Sequence, residues 1–226
     1  MHDTLASLIK ARPPTPPALF HATHAKAGST WICNILSNVF PGRVFARFGG
    51  KVERYRWNRG DVYPAIFLDY EQFLSIERDA DSKIFFVIRD PRDTLVSLYF
   101  SMRYTHTSRG FPHVSKFREE TEGMSDAEGI LYTFKTRRNG IARMQKSWLD
   151  SDELIVKYED LIAPTGITLS DVLRELDYSF DEKAMEAAIA KHSFENAFGR
   201  KMGERDNSSH GRQGLPGDWR NYSSPN

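Results

Sequence analysis

A lysine, two hydroxyls and a run of small residues stand together at Lys26-Ala27-Gly28-Ser29-Thr30-Trp31. Side chains this small let backbone N–H groups approach phosphate oxygens closely, and the lysine adds a full positive charge. A helix starting here would contribute unpaired N–H groups and a partial positive charge to the same anion. The segment is therefore a candidate phosphate loop. It is not the loop of a P-loop ATPase, whose order is Gly-x-x-x-x-Gly-Lys-Ser/Thr, because here Lys26 precedes Gly28. An ordinary strand-to-helix turn would use the same small residues, so the reading needs company.

Two further segments supply it. Arg89 ends an apolar run, and Ser97 follows eight residues later, two turns into a helix opened by Asp90-Pro91-Arg92-Asp93. A guanidinium fork matches phosphate bidentately, and a serine hydroxyl completes the shell. Asp90 is a natural cap, Pro91 suits the first helical position and Asp93 sits where a capping-box acid belongs. The third segment is Gly211-Arg212-Gln213-Gly214-Leu215-Pro216-Gly217-Asp218-Trp219-Arg220-Asn221. Arg212 and the amides around Gly214 can close over a phosphate, and Trp219 can anchor the loop that carries them.

These residues need a scaffold, and the pattern around them gives one. Residues 18–23 read as a strand leading into the phosphate loop, and Trp31, Ile35, Leu36 and Val39 mark a helix from about residue 30 to 39. Ala65 to Leu68, bounded by Pro64 and Asp69, reads as a short strand. Ile84-Phe85-Phe86-Val87-Ile88 is the clearest strand, apolar throughout, as expected of a central parallel strand buried on both faces. A helix follows to about Tyr104, then a mobile connection over 105–125 with a short helix, a long helix over 126–149, a strand over 153–157, and helices near 168–177 and 181–191. Residues 199–226 are polar and glycine-rich and read as a loop that needs a ligand or partner to hold it. Strands alternating with helices predict an α/β fold with a mostly parallel sheet. The prolines of Arg12-Pro13-Pro14-Thr15-Pro16-Pro17 set off 1–17 as a leader, leaving 18–226 as a single domain.

Composition narrows the function classes. The chain has 226 residues and a formal net charge of +1, so bulk attraction to nucleic acid or membrane is not implied. Cys33 is the only cysteine, so no internal disulfide forms. No stretch reads as a signal peptide or a membrane span, and the histidines show no metal-ligand spacing. The expected setting is cytoplasmic, with no metal, nucleic acid or membrane partner. Residues 43–60 interleave Arg43, Arg47, Lys51, Arg54, Arg56 and Arg59 with Phe45, Phe48, Tyr55 and Trp57. That pattern suits an acceptor wall or a single-stranded nucleic acid, and equally a solvated surface excursion.

Together the three anion segments resemble the PAPS-dependent sulfotransferase family, where PAPS is 3′-phosphoadenosine 5′-phosphosulfate. Lys26 to Trp31 is similar to its 5′-phosphosulfate loop, Arg89 through Ser97 to its 3′-phosphate motif, and Arg212 through Asn221 to its C-terminal Arg-Lys-Gly-x-x-Gly-Asp-Trp-Lys-Asn motif. Lys157-Tyr158-Glu159-Asp160-Leu161 and His192-Ser193-Phe194 resemble its adenine-lining segments. The matches come in family order and span residues 19 to 221. The resemblance implies a P-loop-like three-layer fold with a central mostly parallel β-sheet flanked by helices. It also implies sulfuryl transfer from PAPS, leaving 3′,5′-ADP, to a hydroxyl or amine of a small-molecule or saccharide acceptor, with no metal. Oligomeric state stays open, a homodimer included.

By that resemblance Lys26 would steady the leaving group, and Ala27, Gly28, Ser29 and Thr30 would cradle the 5′-phosphate. Trp31, Tyr158 and Phe194 would line adenine, and Arg89, Ser97, Arg212, Gln213 and Gly214 would hold the 3′-phosphate. The sequence departs from the family where a histidine base is usual: after the strand preceding the 3′-phosphate motif it has Asp69. A carboxylate can accept a proton, so Asp69 is the expected base, with Glu71 next and His24 or His106 behind; a helix cap is the other use for Asp69. His192 stands where a threonine is usual. The competing readings are a P-loop nucleotide kinase, disfavoured by the lysine order, and a non-catalytic module that binds PAPS or 3′,5′-ADP.

Overall fold

The computed structural model describes residues 15–46, 56–163 and 166–222. Most of the leader, the Arg47–Tyr55 part of the basic-aromatic stretch and the last four residues lie outside the described residues. Four parallel strands form the sheet: β1 (Leu19–Thr23), β2 (Val62–Ile66), β3 (Lys83–Ile88) and β4 (Leu154–Lys157), in the order β2-β1-β3-β4. Helix α1 (Ser29–Val39) leads from β1 to β2 on one side. The chain then returns through α2 (Tyr70–Leu74) to β3 on the other side of β1. The direction of winding thus reverses between β1 and β3, and the crevice beyond the carboxyl ends of such strands is where α/β sheets bind ligands.

Alternation along the strands builds the layers. Leu19, Phe85, Val87 and Val156 face one way, against Ile32, Ile35, Leu36 and Val39 of α1, α7 (Leu169–Glu175) and α8 (Glu182–Lys191). Phe20, Ala22, Ile84 and Phe86 face the other way, against Phe73 of α2 and Trp148 of α5 (Asp126–Leu149). Successive strand side chains point to opposite faces, so an unbroken apolar run such as β3 can serve both layers. Trp148 stacks on Phe86 with ring centroids 4.8 Å apart and donates from Nε1 to Leu68 O at 2.9 Å. The result is an α/β fold of three layers with an all-parallel sheet.

A third cluster joins α3 (Pro91–Phe100) to α4 (Pro112–Glu120) and α5 through Val96, Tyr99, Phe100, Phe117 and Ile130. Short helices complete the chain: α6 (Tyr158–Ile162), α9 (Phe194–Phe198) and a 3₁₀ turn at Asp218–Tyr222. Among the described residues no helix is long and apolar enough to cross a membrane.

The structure corrects the expected β2. The strand runs Val62–Ile66, not 65–68, and Pro64 lies inside it. The register shifts between Phe20 and Ala22, and Ala65 adopts a left-handed φ of 61°. Such a bulge leaves an unpaired position, which is where a strand tolerates proline. The buried His21 supports it by accepting the Ala65 N–H at its Nδ1, 3.3 Å away.

Candidate functional site

Beyond the carboxyl ends of β1 and β3 lies a cleft of about 500 Å³. Its walls include Lys26, Gly28, Ser29, Thr30, Trp31, Arg89, Ser97, Tyr158, Phe194, Arg212, Gln213 and Gly214. Residues from both ends of the sequence thus converge on one space. Ala27 is fully buried behind the loop.

The loop after β1 is built to leave amides free. Lys26 and Gly28 have φ of 70° and 80°, left-handed values that are costly for lysine and easy for glycine. Gly28 is required twice over, because a Cβ there would also come within 2.8 Å of the Tyr158 ring. Helix α1 has no side-chain cap and no acid in its first turn. By contrast α2, α5 and α7 each carry a complete capping box. The first N–H groups of a helix have no intrahelical partner, and at α1 they sit beside Lys26. Burial, and secondarily the charge of Arg89, hold the Lys26 ammonium down at about 8.

Arg89 leans over the Tyr158 ring, 4.8 Å from its centroid, and donates from Nη1 to Lys26 O at 2.8 Å. Its Nε is buried without a partner. Arg212 is similar: it lies 4.2 Å over the Phe100 ring, pairs with Asp218, and also keeps a buried Nε with no acceptor. Buried donors of this kind are normally satisfied, and each one left over calls for a missing partner.

The C-terminal segment is held by the protein itself, unlike the sequence-based expectation. Asp93 was the expected capping-box acid of α3, but Asp90 alone caps it, accepting from Arg92 N at 2.8 Å. The buried Asp93 carboxylate accepts instead from Gly217 N at 2.5 Å and Trp219 N at 3.0 Å. Arg200 adds bonds to the carbonyls of Glu204, Gly211 and Arg212. The Asp93 contacts join residues far apart in sequence, which is why a polar, glycine-rich string did not disclose them.

Asp69 does not line the cleft. It is the N-cap of α2, accepting from Gln72 N at 2.9 Å while the Gln72 side chain accepts from the Asp69 amide. The pattern Asp-x-x-Gln was the signal for this. Glu71 is exposed, on the first turn of the same helix, and is also outside the cleft wall. His24 is buried and hydrogen-bonded at both nitrogens. His106 does line the cleft, and so do His210, Phe67 and His192.

His106 arrives there through a π-helical turn. Residues Ser101–Thr105 continue α3, and His106 N–H donates to Ser101 O at 2.7 Å, five residues back. One-turn π insertions of this kind cluster at functional sites. The turn puts the His106 Nδ1 2.8 Å from Ser101 Oγ, and Lys26 Nζ donates to the same oxygen at 3.1 Å. Burial, then the Lys26 charge, lower the His106 pKa; the Lys26 charge, then burial, take His210 down to about 4. Both rings are biased toward the neutral form. Outside the cleft, Arg59 of the basic stretch pairs with Asp79 and Asp81, and Arg43 donates to Tyr178.

A family model, the sulfotransferase domain, matches residues 16–226. Human sulfotransferase 2A1 is 21% identical over 224 residues, covering 88% of this chain and 76% of that protein. Among solved structures, mouse sulfotransferase SULT7A1 complexed with PAP superposes with a TM-score of 0.60 at 16% identity, over 92% of this chain and 79% of that one. Retinol dehydratase in complex with androsterone and the inactive cofactor PAP superposes at 0.51 and 13% identity, over 94% and 77%.

Proposed function

The chain belongs to the sulfotransferase family and is an enzyme of sulfuryl transfer, and from that premise we propose that it takes the group from PAPS, in line, to a hydroxyl or amine of a small-molecule or saccharide acceptor. The observation that carries the donor assignment is the pair Arg89 and Arg212. Both line the cleft and each keeps a buried Nε without an acceptor. A 3′-phosphate held between the two guanidinium groups would accept from both, with Ser97, Gln213 and Gly214 completing the shell. The solved relatives bound to PAP support the same donor.

Lys26, Ala27, Gly28, Ser29 and Thr30, with the free amides of α1, would take the 5′ side, and Trp31, Tyr158 and Phe194 the base. PAPS, when bound, supplies the sulfuryl group and a phosphate leaving group. The chain's own work is positioning and charge stabilisation. Lys26, mostly protonated at neutral pH, offsets negative charge where the leaving group departs. His106 replaces Asp69 as the proposed proton acceptor: burial and the Lys26 charge lower its pKa, it lines the cleft and it sits against Ser101. A catalytic domain over 18–226, acting in the cytoplasm, completes the proposal.

Calorimetric titration with 3′,5′-ADP and 5′-AMP tests the donor assignment. Wild type should prefer 3′,5′-ADP, and Arg89→Ala should erase the preference. Equal affinity of wild type for the two nucleotides would refute it.

A further inference from the structure

His24, just upstream of the phosphate loop, is 2% exposed and fully hydrogen-bonded. Its Nδ1 lies 2.9 Å from Ala25 O, which can only accept, so Nδ1 carries the ring hydrogen. Its Nε2 faces two donors, Arg89 N–H at 3.2 Å and Gln145 Nε2 at 2.9 Å, and therefore stays unprotonated. Gln145 uses its other hydrogen on Arg89 O at 2.7 Å. Both backbone groups of Arg89 are thus tied to a module formed by His24 and the buried Gln145 of α5. The same ring is tied to Ala25, which leads into the phosphate loop.

We propose that His24 and Gln145 are positioning residues that set nucleotide selectivity. Neither serves as a base, and Gln145 does not line the cleft. Together they fix the separation between the 5′ loop at Lys26 and the guanidinium of Arg89, and so favour a ligand with phosphates at both sites over a monophosphate. The inference rests on the PAPS reading above.

The test is titration of wild type, Gln145→Met, His24→Leu and His24→Gln with 3′,5′-ADP and 5′-AMP, each beside its thermal midpoint. Gln145→Met conserves volume while removing the bonds to His24 and Arg89. It should lower 3′,5′-ADP affinity about tenfold and leave 5′-AMP nearly unchanged. His24→Leu should do the same, whereas His24→Gln, which can still present an acceptor toward Arg89 N, should keep most of the selectivity. A merely structural role would lower the midpoint and both affinities together. A wild-type preference that survives both Gln145→Met and His24→Leu would overturn this proposal alone. No wild-type preference would overturn the donor assignment and this proposal with it. If His24→Leu does not fold, Gln145→Met decides.

Discussion

Arg89 and Lys26 are joined through the main chain: the guanidinium Nη1 donates to the lysine carbonyl at 2.8 Å. The cation proposed for one phosphate therefore braces the loop proposed for the other. The brace consumes one of the five N–H donors of the guanidinium and leaves the others for an anion. Removing the side chain should harm both ends. Arg89→Ala is expected to weaken 3′,5′-ADP binding by about 10–100-fold, the range for losing charged hydrogen bonds, and 5′-AMP binding by a smaller factor. Arg89→Lys should recover little, because a point charge cannot both brace and fork.

Gly28→Ala should fold but bind nucleotide poorly. Alanine at a φ of 80° costs roughly 1–2 kcal/mol, and its Cβ would press on the Tyr158 ring. The loop must shift, and the amides shift with it. Thermal unfolding should show a modest loss while 3′,5′-ADP titration shows a large one; unchanged binding would mean the loop geometry is not what recruits the nucleotide.

Acid should destabilise the ligand-free protein before most carboxylates titrate. Burial holds His21 at about 3 and His24 at about 4 in the folded state, against about 6.5 when unfolded. Their neutral burial is fully stabilising above pH 6.5 and fades as pH falls toward those values. Each group loses roughly 1.4 kcal/mol per pH unit in that window. The urea midpoint at pH 5.5 should fall below that at pH 7.5 with the slope unchanged, and equal midpoints would contradict the neutral assignment.

His106 and Asp69 separate by turnover. With any acceptor that wild type sulfates, His106→Gln should reduce kcat by about 10²–10⁴-fold, the usual span for a lost general base, while 3′,5′-ADP affinity holds. Asp69→Asn should leave both intact, since asparagine caps a helix as well as aspartate. The reverse pattern would return the base to Asp69.

Asp93→Ala should loosen a segment remote in sequence. Hydrogen exchange at the Gly217 and Trp219 amides is expected to accelerate, with 3′,5′-ADP affinity falling as Arg212 and Gly214 lose their anchor. Exchange without any change in affinity would show that the segment's position does not matter to the ligand.

What could be read from sequence was local. The phosphate loop, the Arg89–Ser97 spacing and β3 each declare themselves within a dozen residues, because strand burial and helix capping leave short-range patterns. Pro64 misled because it was read as a boundary, when a bulge supported by His21 accommodates it. Asp69, named as the expected base, is the N-cap of α2, and Gln72 three residues on was the local mark of that use. The hold on the C-terminal segment was invisible, since Asp93 and Gly217 meet only in three dimensions. His106 was ranked low because it fell in the stretch read as a mobile connection, where nothing local announces the π turn that brings it beside Ser101.

That last feature has a genetic side. A π turn is an α-helix with one extra residue, and Ser101–Thr105 is such a turn. Deleting a single codon within it would restore ordinary pitch and take the His106 ring away from Ser101 and Lys26, which it meets through that turn. The nucleotide cradle would remain. On the proposed role of His106, one in-frame deletion there would separate nucleotide binding from sulfuryl transfer.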